Sequence, residues 1–165
     1  MTQQTRLSLF KLPALAALLI GMGSSVMSEN LTAWNNQRAE LFASVCVGSA
    51  PTFATFVDTA RRAGFKDNGP TMLLEPEIEV SLGDDGAGCS CKMTFGAPDQ
   101  RAMIETVLNT VFRQYPDSLV GKEGFVQTIE MMREGQVVAI DLQMPNIDAK
   151  TWVFAAATTQ TACPK

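Results

Sequence analysis

The chain has 165 residues, 13 basic against 17 acidic side chains for a net charge of −4, four cysteines and no histidine. The acidic balance speaks against nucleic acid and anionic lipid surfaces as partners, since both select basic faces. The missing imidazole removes the commonest general base, the Ser-His and Cys-His nucleophile pairs and the commonest transition-metal ligand.

Residues 1–28 have the three parts of a cleavable signal peptide. Arg6 and Lys11 charge its start, residues 12–22 (LPALAALLIGM) are apolar, and Gly23, Ser24 and Ser25 lead to a cut preceded by Val26 at minus 3 and Ser28 at minus 1. The apolar run is shorter than the ~20 residues that cross a bilayer, so no stable membrane insertion is expected after cleavage. No cysteine adjoins the cut, which gives no support to lipid anchoring. Cleavage before Glu29 leaves a single domain, 29–165, of 137 residues with 11 basic against 17 acidic groups, a net charge of −6. The expected location is periplasmic or secreted. Asn30-Leu31-Thr32 matches the glycosylation pattern, which has meaning only in a eukaryotic host.

Residues 31–46 set Trp34, Arg38, Leu41, Phe42 and Val45 on one helical stripe, with Arg38 its polar interruption and Gly48 its end. A second helix is expected from SAPTF, capped by Ser49 or Ala50 with Pro51 in its first turn, carrying Phe53, Phe56, Val57 and Ala60 inward until Arg61, Arg62 and Gly64. Residues 65–75, with Lys66, Asp67, Asn68, Gly69 and Pro70, read as a surface loop. Ile78, Val80 and Leu82 alternate with polar residues as in a half-buried strand, and Gly83 to Gly88 make the turn. The return strand, GCSCKMTF, puts Cys89, Cys91, Met93 and Phe95 on its core face.

A further helix opens at GAPDQ with Pro98 in its first turn and Asp99 beside its positive end. It carries Ile104, Leu108, Val111, Phe112 and Tyr115 inward until Pro116. Residues 125–133 and 136–144 form a hairpin through Glu134 and Gly135, with Met131 opposite Val138 and Ile129 opposite Ile140. After a loop with Pro145, Asn146 and Asp148, residues 151–159 (TWVFAAATT) suit an internal strand. The resulting order is α-α-β-β-α-β-β-β. The fold class is α+β, a two-layer sandwich with a mainly antiparallel sheet of about five strands and helices on one face.

Four cysteines in an exported chain read as two disulfides. Cys89 and Cys91 stand too far apart on a strand for a relaxed bond to each other, so each pairs with Cys46 or Cys163, and which takes which stays open. With Met93 they form a line of soft donors that would suit Cu(I), and beside Lys92 they would suit a thiol-redox pair. Disulfide bonding outweighs both, because oxidised sulfur neither ligates nor attacks. The long separations between the cysteines lack the paired short spacings of a zinc site, and no metal or other cofactor is expected. Glu75, Glu77 and Glu79 read as a solvated strand face, and Asp84 with Asp85 as a turn too poor in ligands for calcium. Met103, Met131, Met132 and Met144 read as core filler rather than a binding surface.

With no catalytic motif in view, the favoured expectation is a non-enzymatic exported module that binds a protein or small ligand through a sheet face, an edge strand or loops at one end. An inhibitor of a basic exported enzyme, such as a lysozyme, is one concrete form suited by the acidic charge. The alternative is an enzyme or thiol-redox protein using Cys89 and Cys91 or a carboxylate pair. The intact mass of protein recovered from an exporting bacterial host is predicted to correspond to a chain starting at Glu29; recovery only with residues 1–28 attached would refute the signal.

Overall fold

The helical stripe around Trp34 and Arg38 belongs to α1 (Met22–Phe42), which continues as a π-helical turn, Ala43–Val47. The Gly48 N–H closes that wide turn on the Ala43 carbonyl at 2.8 Å, and the extra residue carries Val45, Cys46 and Val47 inward together. The computed structural model describes residues 22–75, 77–86, 88–116, 119–123, 127–147 and 150–164. Residues 1–21 of the expected signal, Phe125 and Val126 of the expected hairpin, and Asp148 lie outside them. Helix α1 begins at Met22, ahead of the expected start at residue 31, and includes the Gly-Ser approach to the expected cut. The chain divides at Thr32, and the sheet, the core and the sites below all lie in the unit Ala33–Lys165.

The second helix is shorter than its sequence suggests. Only α2 (Phe56–Arg62) is helical, because residues 48–52 are turns and Phe53 has a positive φ of 54° that no α-helix accepts. Ser49 turns back: its hydroxyl donates to the carbonyls of Val45 and Cys46, so it finishes the preceding segment instead of opening the next. Pro51 follows a cis peptide bond and stands outside the helix. Val57, expected in the core, is 43% exposed on this short segment.

The expected loop over residues 65–75 is a small hairpin, β1 (Lys66–Asn68) and β2 (Thr71–Glu75), reversed at Gly69 with φ of 63°. Its turn residues are those expected of a loop, but Met72 within it is buried against the core. The register then runs antiparallel into β3 (Ile78–Asp84) and β4 (Cys89–Gly96), pairing Ile78 with Phe95 and Leu82 with Cys91. Between these two strands Gly88 lies so close to the strand Lys150–Thr159 that a Cβ there would meet the Thr159 carbonyl oxygen at 1.9 Å. A side chain at this position would force the strand ends apart.

Helix α3 (Gln100–Gln114) is capped by Asp99, whose carboxylate accepts from the Ala102 N–H at 3.0 Å; Pro98 precedes the cap instead of occupying the first turn. Met103, Ile104, Val107 and Val111 bury its apolar stripe. A strand absent from the sequence reading, β5 (Leu119–Glu123), pairs with β6 (Gln127–Arg133). β6 and β7 (Gln136–Gln143) form a tight hairpin, with Met131 opposite Val138 and Ile129 opposite Ile140. Glu134 and Gly135 both take the positive φ that such a turn demands. The two-residue β8 (Asn146–Ile147) folds onto the start of β9 (Lys150–Thr159).

Among the described residues the sheet is antiparallel with nine strands, not about five, in the order β1-β2-β3-β4-β9-β7-β6-β5, with β8 attached to β9. The order of the described elements becomes α-α-β-β-β-β-α-β-β-β-β-β. One core joins Phe42, Val45 and Val47 to the α3 stripe and to the inward residues of β3, β4, β9, β7 and β6. Among the described residues, no helix is long and apolar enough to cross a membrane.

Tyr115, the single tyrosine of the chain, links three parts of this core. At the C-terminal end of α3 it donates its hydroxyl to the Ala43 carbonyl at 3.2 Å, and the Arg133 guanidinium lies 4.3 Å from its ring centre. Burial raises the phenol pKa, and the nearby positive charge of Arg133 only partly opposes this. The unfolded chain releases that proton near pH ~10, whereas the folded chain holds it to higher pH. Between the two values the folded state binds more protons, so stability falls as pH rises. Tyrosinate absorbance, which reads Tyr115 alone, should titrate above the usual phenol midpoint in the native protein and return to it in denaturant; equal midpoints would contradict the buried phenol.

Candidate functional site

The cysteines sit where β4 meets the helical layer. Alternation along β4 turns Cys89 and Cys91 to the core, and both are fully buried. Cys91 bonds to Cys46 of the π-helical turn with Cα atoms 5.4 Å apart, and Cys89 bonds to Cys163 beyond β9 with Cα atoms 4.7 Å apart. This is one of the two arrangements the sequence leaves open. No cysteine is free among the described residues. Cystine sulfur offers neither a thiolate nucleophile nor a metal ligand, so a copper or redox role would first require opening a buried bond. Met93, the third sulfur of that line, is buried in the core.

The acidic residues separate. Glu75 pairs with Arg38, Glu79 and Glu77 line two different cavities, and the Asp84 carboxylate accepts from the Gly86 N–H at 2.8 Å within its turn. Among the described residues, no three acidic or cysteine side chains gather as a metal site would require.

The larger cavity is a groove of about 380 Å³ across the face of the sheet opposite the helices. Register builds it: Ser81, Lys92, Ala156, Asp141 and Thr128 align in one row across β3, β4, β9, β7 and β6. Glu79, Thr94, Phe154 and Gln143 align in the next. Small Ala156 on the central strand leaves room between longer neighbours. The Thr128 hydroxyl donates to Asp141, fixing one carboxylate, while Lys92 stands exposed without an ion-pair partner among the described residues. Its volume lies within the ~300–1,000 Å³ usual for ligand sites.

A second cavity, of about 290 Å³, opens at the end of the sheet between Trp34 of α1, Glu77 before β3, Gly96, Ala97 and Pro98 after β4, and Thr151 and Trp152 of β9. The Gly96 N–H holds the Glu77 carbonyl at 3.2 Å. Beneath Trp34 lies Arg38, only 2% exposed, its Cζ 3.2 Å from the indole centre. One guanidinium nitrogen reaches Glu75 and another the Trp34 carbonyl, each at 3.4 Å, while Nε has no partner among the described residues. Burial lowers the Arg38 pKa, and Glu75 and then Glu77 counter it; the group remains a cation.

Sequence reasoning marked Arg38 as an interruption of an apolar stripe but assigned it no role. The signal was available: a lone arginine one helical turn beyond a tryptophan on a core face needs an aromatic or acidic partner, and EPEIE supplies the acid. The start of β9 is apolar on both faces, so its sequence gives no sign that Trp152 and Phe154 wall cavities.

Comparison with protein-family models, characterised proteins and solved structures finds no match. The native protein is predicted to show no reactive thiol even when unfolded without reductant, and the Cys46→Ser/Cys91→Ser double variant should lose about 2–5 kcal/mol in denaturant unfolding. Titratable thiols in the unreduced, unfolded wild type would refute the pairing.

Proposed function

We propose that this chain is an exported, non-enzymatic binding module that engages a partner through the groove on its open sheet face. One observation carries the reading: a ligand-sized concavity built on β3, β4, β9 and β7, all backbone-paired to their neighbours and walled by side chains of both charge signs. Strand-borne side chains hold position better than loop-borne ones, which favours selective recognition. Two cystines accord with export to an oxidising compartment, and the acidic chain suits a partner that is basic overall.

A carboxylate-pair enzyme is the natural rival for the same groove, since it contains both Glu79 and Asp141. These lie on β3 and β7, three strand spacings apart in the sheet order. At ~4.8 Å per spacing their backbones stand about 14 Å apart. Carboxylates that flank a glycosidic bond work at no more than ~9.5 Å, so this pair is better suited to gripping a ligand than to sharing a reaction.

A photo-crosslinking residue placed at Ala156, on the groove floor, is expected to capture one defined exported partner in the native host. The same probe at exposed Lys66 should not. Ala156→Arg should abolish the interaction with little change in melting temperature. Identical adducts from both positions, or undiminished binding by Ala156→Arg, would overturn the assignment.

A further inference from the structure

We infer that the cavity between Trp34, Trp152 and Glu77 is a receptor for an organic cation, the ammonium or guanidinium group of a small amine or of a basic side chain. This site lies at the end of the sheet and does not depend on the groove reading. Its wall contains both tryptophans of the chain and a carboxylate, the combination that attracts a cation through ring faces and charge together.

The surrounding charges leave it a negative balance. Glu75 and Glu77 both act on buried Arg38, so two carboxylates face one guanidinium and an uncompensated negative charge remains. Glu75 is committed to Arg38 at 3.4 Å. Glu77 makes no ion pair among the described residues and stands exposed at the cavity. Arg38 already demonstrates the chemistry locally, since its guanidinium lies against the Trp34 indole at 3.2 Å. A second cation entering between Trp152 and Glu77 would neutralise the cluster while meeting the ring surface that Arg38 leaves open. An anion would instead meet Glu77 directly, and a wholly apolar ligand would desolvate that carboxylate without compensation.

Because both tryptophans line this cavity, intrinsic fluorescence reads its occupancy. The purified, disulfide-oxidised full chain would be titrated with agmatine, with a short oligo-arginine peptide, and with a neutral alkylurea of matched length. A saturable fluorescence change is expected with the peptide, with none from the urea. The Glu77→Gln variant should bind at least tenfold more weakly, while Glu105→Gln, on the exposed side of α3, binds as wild type. Thermal melting would confirm that both variants fold. Response to agmatine as well identifies a small free cation as a sufficient ligand; response to the peptide alone identifies a partner's basic side chain. The inference is overturned if neither cation gives a saturable change, if the urea matches them, or if Glu77→Gln binds as wild type. The Ala156 crosslinking result is independent of all three.

Discussion

The inward-facing pair Cys89 and Cys91 on one strand is the constraint around which the rest is arranged. Because residues two apart on a strand share a face, both sulfurs enter the same core layer, yet each must find a different partner. Cys91 ties the sheet to the π-helical turn, and Cys89 ties it to the segment that follows β9. The closed loops span sequence separations of 45 and 74. Loop-entropy estimates for such lengths give about 4 kcal/mol per bond, comparable with the net stability of a small domain. The bonds also fix geometry. One places the end of the first helical layer over β4 and the other ties β4 to the segment after β9, so that the two central strands cannot separate without pulling on the Cys89–Cys163 bond.

Arg38 is the second constraint, and it works against the first in character. A buried guanidinium is costly unless neutralised, and here an indole face, a half-exposed carboxylate and a backbone carbonyl share the task. The compensation is incomplete: Nε and the neighbouring Asn35 Oδ1 are buried without partners among the described residues. An apolar residue at position 38 would serve packing better. The arginine nevertheless ties α1 electrostatically to the β2–β3 corner, where Glu75 and Glu77 sit, and so holds Trp34 at the edge of the end cavity. A stability cost concentrated beside a concavity is characteristic of positions kept for what they present rather than for what they fill.

Periodicity revealed the parts of the fold that have clean patterns. The β3–β4 pair, the β6–β7 hairpin, helix α3 and the internal position of β9 follow from alternation or helical spacing, because burial on one face imposes those patterns. Short elements did not reveal themselves. β1 and β2 are hidden by Gly69 and Pro70, whose turn chemistry dominates a window in which only Phe65 and Met72 are buried in the core. The residues 48–55 looked helical because Pro51 suits a first turn, but Ser49 and the positive φ of Phe53 belong to a tighter structure held by local hydrogen bonds. The cavities were the least legible, since a groove is a product of strand order. Nothing in the sequence places Lys92 near Asp141 until β9 is known to lie between β4 and β7.

That strand order also explains how a small domain can present the groove and the end cavity without loosening its core. β9 is paired on both sides along most of its length, and its residues alternate strictly between core and open faces. Val153, Ala155, Ala157 and Thr159 are buried, whereas Trp152, Phe154, Ala156 and Thr158 are only partly covered. The inward set holds the sandwich together, and the outward set furnishes the end cavity through Trp152 and the groove through Phe154 and Ala156. Since the pleat keeps the two sets apart, outward substitutions can alter recognition while leaving the packing face intact. The same pairing denies β9 independent movement. Both surfaces are therefore preorganised by the central strand, and ligand binding at either requires little ordering of the backbone, which is the condition under which a modest contact area still yields selective affinity.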